Sequence, residues 1–432
     1  MSNKKGLKIA IIGAGSTYTP ELIEGLINKR DSLPVKELYL MDIDERKLNI
    51  VGGLAKRMIE AADMDVNVVM TDDLDGSLIN ADFVLVQIRV GKLPARILDE
   101  KIPLKYGLIG QETNGIGGFF KGMRTIPVMI DIAKRMEKLC PDAWLINFSN
   151  PSGMIAQALL THTKIKTMGL CNVPINMISS VKQKLGLENA EVEYVGLNHL
   201  TWITSIKHNG KDYLQEAIEQ GINSEAMKNI PASGFTPELI KTVGAIPSSY
   251  LEYYYYRDAK LEHALKQEKS RGEVCLEIEE ELLKIYEDSK LHTKPALLSK
   301  RGGARYSEAA INLVDSIYND KRDIQVVNIL NQGAIDFMRD DDVVEISAII
   351  GKDGATPIKA NFKNEHIKEY MLLMKAYERH AVQAAITGDD DEAMRALLIN
   401  PLVLDYKKAY PCYLELKEAH KQYLPQFFKE DK

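Results

Sequence analysis

Short apolar runs that stop at a glycine or a polar turn recur through the first 170 residues, and each is followed by apolar positions at helical spacing. Leu7-Lys8-Ile9-Ala10-Ile11-Ile12 ends at Gly13 and reads as a buried parallel strand. A proline and an acid, Pro20 and Glu21, then open a stretch to Ile27 with helical spacing, which predicts a helix with Thr19 as its N-cap. Further strands are predicted over 37–41, ending at Asp42, and over 83–87. Two more cover 143–148, opening onto Ser149-Asn150-Pro151, and 166–170, ending at Cys171-Asn172-Val173-Pro174. Pro151 is expected as the first residue of a helix. Alternating strands and helices predict an α/β fold with a parallel sheet. Ligands of such sheets bind beyond the carboxyl ends of the strands, so these polar turns are expected on one rim.

Beyond about residue 170 the pattern shifts to longer helices, notably over 273–289 and 367–387, with strands over 192–196 and 201–207. Two domains are therefore expected, a Rossmann-type parallel-sheet domain over 1–170 and an α/β domain over 171–432. The length of 432 residues agrees with two domains. The net charge of -6, with no long basic run, argues against nucleic acid and leaves no polybasic membrane patch. No stretch approaches the roughly 20 apolar residues of a membrane helix. The apolar run after Lys4-Lys5 breaks at Gly13, too early for a secretory signal, so a cytoplasmic location is expected. Cys140, Cys171, Cys275 and Cys412 are widely spaced and form no C-x-x-C pair, so neither a disulfide framework nor a zinc knuckle is indicated.

Candidate chemistry begins at Gly13-Ala14-Gly15-Ser16, where the Rossmann pattern G-x-G-x-x-G has Tyr18 in place of its third glycine. Gly13 permits the tight turn, Gly15 lets backbone approach a pyrophosphate, and the helix N-terminus attracts that charge. Asp42, after the second strand, sits where an acid accepts the ribose hydroxyls, favouring NAD over NADP. The segment over 107–118 is rich in glycine and contains Glu112; a loop with flexible glycines is its plain account. Arg89 and Arg96 are candidates for phosphate or hydroxyl contacts, although a surface arginine is the commoner outcome. Cys171 and His199 each follow an apparent strand in a polar turn, and thiolate with imidazole suits a borderline divalent ion. A buried cysteine and a hydrogen-bonded histidine is the ordinary alternative.

Five ordered blocks carry a resemblance: residues 12–22 (Ile-Gly-Ala-Gly-Ser-Thr-Tyr-Thr-Pro-Glu-Leu), Ile109-Gly110-Gln111-Glu112-Thr113, Asn147-Phe148-Ser149-Asn150-Pro151, Cys171-Asn172-Val173-Pro174 and Gly196-Leu197-Asn198-His199. Arg301-Gly302-Gly303-Ala304 adds a later match. Together they resemble glycoside hydrolase family 4, the NAD- and metal-dependent glycosidases. The resemblance implies a Rossmann domain followed by a domain like that of lactate and malate dehydrogenases. NAD would lie on Gly13, Gly15, Ser16, Thr17 and Asp42. A divalent metal, usually Mn2+, would sit on Cys171 and His199. Arg96, Asn150 and Arg271 match sugar-binding positions. Tyr250 matches the catalytic base, although its neighbours Tyr253 to Tyr256 leave that assignment open, and Glu112 resembles the acid said to raise its basicity.

The family mechanism needs no carboxylate pair. It implies oxidation at sugar carbon 3 by NAD, metal-assisted deprotonation at carbon 2, elimination of the aglycone, water addition and re-reduction. Asn172 stands where members cleaving 6-phospho-α-glucosides resemble Cys-Asp. An amide cannot protonate a leaving group, so Asn172 points to members acting on 6-phospho-β-glucosides such as cellobiose 6-phosphate, with water as the candidate proton source. The alternatives are a 6-phospho-α-glucosidase activity, a lactate- or malate-type dehydrogenase with His199 as proton acceptor, and a non-catalytic NAD sensor. A homodimer or homotetramer is implied by the resemblance alone.

Overall fold

The computed structural model describes residues 6–223, 234–301 and 305–428. Its first six strands are β1 (Leu7–Ile12), β2 (Val35–Met41), β3 (Asn67–Thr71), β4 (Phe83–Val86), β5 (Trp144–Asn147) and β6 (Lys166–Gly169). They are followed by β7 (Glu191–Leu197), β8 (Leu200–His208), β9 (Lys211–Asp212), β10 (Ile246–Pro247), β11 (Asp323–Leu330), β12 (Val343–Gly351) and β13 (Gly354–Pro357). One nine-stranded sheet runs β13-β12-β11-β6-β5-β4-β1-β2-β3. Every residue of β1 and β4 is buried, as helices on both faces of a parallel sheet require. The parallel half has the order 3-2-1-4-5-6, so its direction of winding reverses between β1 and β4, where such sheets open a crevice at their carboxyl ends.

Near residue 170 the sheet changes character. Strand β11 pairs antiparallel with β6 through Asn328 and Gly169, and β12 and β13 continue antiparallel from it. A separate sheet is built on the β7–β8 hairpin, with β10 and β9 on β8. The fold is therefore the expected α/β type, a Rossmann-order sheet extended by strands from the second half of the chain.

Several predicted helix starts differ. The first helix, Thr19–Asn28, has Tyr18 at its N-cap. Thr19 is not the cap: its hydroxyl donates to the Ala14 carbonyl (2.8 Å) and accepts from Gln87 Nε2 (2.7 Å), which ties the glycine turn to the end of β4. Pro151 is the N-cap of the helix Ser152–His162 rather than its first residue. The helix Arg271–Tyr286 begins two residues before its predicted start because Ser270 and Glu273 form a capping box.

The glycine-rich segment is loop only over 107–114. Gly115 already begins the helix Gly115–Leu139. A Cβ on Gly110 would lie 1.7 Å from the Glu100 carbonyl oxygen, and one on Gly117 would lie 2.4 and 2.6 Å from the carbonyls of Gln111 and Asp99. These glycines let two backbones touch. The helix they pack on, Lys92–Lys105, carries Arg96, Asp99 and Glu100. Its far side is locked by Asp99, which is fully buried and accepts two bonds from Arg124 (2.9 and 2.6 Å) and one from His420 Nε2 (2.8 Å). Burial works against the charge, yet Arg124 and His420 hold the Asp99 carboxyl below the usual carboxylate range.

Removing one partner of a buried pair strands the other. Arg124→Met should therefore lower unfolding stability by about 3–5 kcal/mol, measured by denaturant titration; a loss under about 1 kcal/mol would show that the pair is dispensable.

Candidate active site

At the end of β1 the chain turns through Gly13, whose φ of +87° lies in the left-handed region. A Cβ there would be 3.0 Å from the Gln87 backbone, and one on Gly15 would be 2.8 Å from Asp42 Oδ2. The second contact exists because the Gly15 amide donates to Asp42 Oδ2 (2.8 Å), while Asp42 Oδ1 accepts from the Asp44 amide (2.8 Å). Asp42 thus fastens the glycine turn to the end of β2. Position 18, where the third glycine of the pattern would stand, holds Tyr18, and the Arg301 guanidinium lies 4.9 Å from its ring centre. Arg301 also donates to the hydroxyl of the fully buried Thr17 and pairs with Glu279 (3.0 Å). The Ser16 amide donates to Gly13 O (3.1 Å). The rest of the predicted block after Arg301, Gly302 to Ala304, lies outside the described residues.

Next to this turn is a buried charge cluster. Glu112 is bound by Arg89 (2.5 Å), Arg96 (3.0 Å) and Lys121 (2.9 Å). Burial opposes its ionisation, but Arg89, Arg96 and Lys121 hold its carboxyl well below the usual range. Arg96 is buried rather than exposed, and its Nε also donates to Glu100 (2.7 Å). Glu100 in turn accepts from the Gly272 amide (2.6 Å), which fixes the start of the helix bearing Arg271. Arg271 itself donates to the Lys300 and Arg301 carbonyls (3.1 and 2.9 Å). Burial, helped by the charge of Arg89, lowers Lys121 to about 7.

Cys171 and His199 come from different layers. Cys171 follows β6, and its sulfur accepts from the Val173 amide at 3.5 Å. His199 sits in the two-residue turn between β7 and β8, with φ of +66°, a region that a side chain larger than glycine seldom adopts. Tyr250 joins them. Its ring stacks on the His199 imidazole with centroids 3.8 Å apart and planes 8° from parallel, and it packs in one buried cluster with Cys171. Burial, with the Lys121 ammonium nearby, lowers His199 to about 3, so the imidazole is neutral and its lone pair is available. Burial pushes the Tyr250 phenol well up; Cys171 and Glu112 add to this, and a hydrogen bond with the Thr113 side chain opposes it.

Of the neighbouring tyrosines, Tyr253 packs in the same buried cluster as Cys171 and Tyr250, whereas Tyr255 and Tyr256 turn elsewhere. The Tyr255 hydroxyl meets Trp202 and His366, and that of Tyr256 accepts from the Thr236 amide. Asn150 lies at the end of β5, and its buried Oδ1 has no hydrogen-bond partner among the described residues. Asn172 is the N-cap of the helix Val173–Leu185 and accepts at its carbonyl from Asn176. Among the described residues no three His, Cys, Asp or Glu side chains are grouped to hold a metal. A soft sulfur and a neutral imidazole nonetheless fit a cation whose remaining positions are filled by ligand oxygens.

Lys121 and Thr113 are absent from the sequence-derived site. A signal for Lys121 exists, since Lys121 and Arg124 are the two bases in the otherwise apolar and glycine-rich start of the helix Gly115–Leu139.

The family profile described as Family 4 glycosyl hydrolase matches residues 8–187, and the Family 4 glycosyl hydrolase C-terminal domain matches 194–403. The chain belongs to glycoside hydrolase family 4. It is 48% identical to the probable 6-phospho-beta-glucosidase of Bacillus subtilis, with 99% of each chain covered. To the 6-phospho-beta-glucosidase of Escherichia coli it is 40% identical, with 99% of this chain and 98% of that one covered. The 6-phospho-beta glucosidase of Thermotoga maritima, solved with manganese, NAD+ and glucose-6-phosphate, superposes with a TM-score of 0.87 at 32% identity, covering 96% and 98% of the two chains. A lactate dehydrogenase from Eimeria maxima, 15% identical over 90% of this chain and all of that one, shares the fold with a TM-score of 0.54. The expected family and the expected dehydrogenase-like architecture are both met.

Proposed function

We propose that this chain hydrolyses 6-phospho-β-glucosides such as cellobiose 6-phosphate to glucose 6-phosphate and an aglycone or sugar, using NAD and a divalent metal, preferably Mn2+. The observation that carries this reading is the stacking of Tyr250 on His199 beside Cys171, with Glu112 adjacent. The relatives named above act on the β-anomer, and Asn172 in place of an acid supports the same choice.

When bound, NAD supplies reversible oxidation at sugar carbon 3 and the metal supplies a Lewis acid. Gly13, Gly15, Ser16, Thr17 and Asp42 would hold NAD, and Cys171 and His199 the metal. The side chains then divide the remaining work. Asn150 offers its unpartnered Oδ1 to a sugar hydroxyl, and Arg96 and Arg271 would add further sugar contacts. Arg89, Arg96 and Lys121 face Glu112 and Glu100, so with Lys121 charged the cluster has one positive charge in excess, which favours a phosphorylated substrate.

Tyr250 takes the proton from carbon 2. In a buried site its phenol resists ionisation, so a nearby cation is needed for it to act at neutral pH. Glu112, kept ionised by its three cations, raises the basicity of that phenolate. The Asn172 amide has no acidic proton to give the departing group, which leaves water as its proton source.

Hydrolysis of p-nitrophenyl β-glucoside 6-phosphate should exceed that of the α-anomer at least tenfold and should require both NAD and Mn2+; full activity in EDTA without NAD would overturn the reading. Cys171→Ser should abolish activity, whereas Cys412→Ala, in the core of the helix Tyr406–Ala419, should retain most of it. Equal behaviour of the two would remove Cys171 from the site. Tyr250→Phe should stop exchange of the carbon 2 proton with solvent deuterium, followed by NMR; persistent exchange would assign the base elsewhere.

A further inference from the structure

Behind the Cys171 and His199 turns lies a carboxylate that the reaction does not use. Glu345, on β12, is completely buried. Three neutral side chains donate to it: Asn198 Nδ2 (3.0 Å) and Asn328 Nδ2 (2.9 Å) to Oε1, and the Tyr194 hydroxyl (3.2 Å) to Oε2. Among the described residues no lysine, arginine or histidine forms an ion pair with it. An isolated buried charge is costly, and burial pushes the Glu345 carboxyl above its ordinary range, while the hydrogen bonds from Asn198, Asn328 and Tyr194 oppose that rise.

The donors lead to the turns that carry the candidate site residues. Asn198 precedes His199 in the β7–β8 turn, and its Oδ1 accepts from the Ser152 amide (3.1 Å), just past the Asn150 turn. Asn328 also reaches the Gly169 carbonyl (3.4 Å), two residues before Cys171. Tyr194 lies on β7 and shares a hydrogen bond with Thr201 of β8 (2.7 Å), so it braces the hairpin that ends in His199. One carboxylate therefore pins the Cys171 turn, the His199 turn and the Asn150 turn together. It also braces the left-handed conformation of His199, which needs support from its surroundings to persist.

We infer that Glu345 is the positioning residue of the metal site, orienting Cys171 and His199 through the turns that its hydrogen bonds tie together. The inference rests on the reading of Cys171 and His199 as metal ligands. Carboxylates that hold metal-binding side chains in place typically contribute about 10- to 100-fold to metal affinity. In Glu345→Gln the amide nitrogen confronts donors that the carboxylate accepted.

The test is a Mn2+ titration of chelator-treated, NAD-free full-length protein, with free Mn2+ read by EPR. Glu345→Gln should weaken Mn2+ binding about 10- to 100-fold while NAD affinity, read by protein fluorescence, stays within about twofold. Mn2+ affinity within about twofold of wild type in the folded variant would overturn the inference. Asn198→Ala serves if Glu345→Gln does not fold; it cuts the link to His199 and should weaken Mn2+ about tenfold or more, and unchanged affinity would likewise overturn the inference. Cys171→Ser separates the two levels. If it loses Mn2+ while Glu345→Gln keeps it, only the role of Glu345 falls; if Cys171→Ser binds Mn2+ as wild type does, the ligand assignment falls with it.

Discussion

A largely buried carboxylate surrounded by three cations organises this molecule. Glu112 is held by Arg89, Arg96 and Lys121, which come from the turn after β4 and from the helices Lys92–Lys105 and Gly115–Leu139. Buried charges of this kind persist only when geometry is exact enough to repay desolvation. Much of the neighbouring packing serves that geometry. Asp99 and Arg124 anchor two of the helices from behind, Glu100 turns Arg96 toward Glu112, and the glycines over 110–118 bring the backbones within contact.

The strands were legible because β1, β2, β4, β5 and β6 are short runs, mostly apolar, that stop at a glycine or a polar turn. The first helix was legible apart from its start. There Thr19 has the residue type of a cap, but its hydroxyl is drawn to Ala14 and Gln87 by a strand 68 residues away. The glycines over 110–118 were misread because conformational freedom and absence of a side chain are the same letter; only the partner backbone distinguishes them.

The site was legible in pieces. Turn chemistry alone singled out Gly13, Asp42, Cys171 and His199, whereas Tyr250 and Asn150 emerged from the resemblance to the family. Arg96 looked like a surface arginine because nothing in its own helix reveals Glu112. Lys121, Thr113, Asn198 and Glu345 depend on which strand lies beside which, and the pairing of β11 with β6 across about 160 residues of chain is not encoded in any local pattern.

That pairing has a consequence for synthesis. The edge of β6 emerges from the ribosome with its hydrogen-bonding groups open, and its partner strand β11 begins only at Asp323, with β13 ending at Pro357. At roughly 5–20 residues per second the nascent chain carries an unpaired sheet edge for on the order of ten to forty seconds. During that interval the half-made sheet offers the kind of surface to which a chaperone, or another nascent chain, attaches.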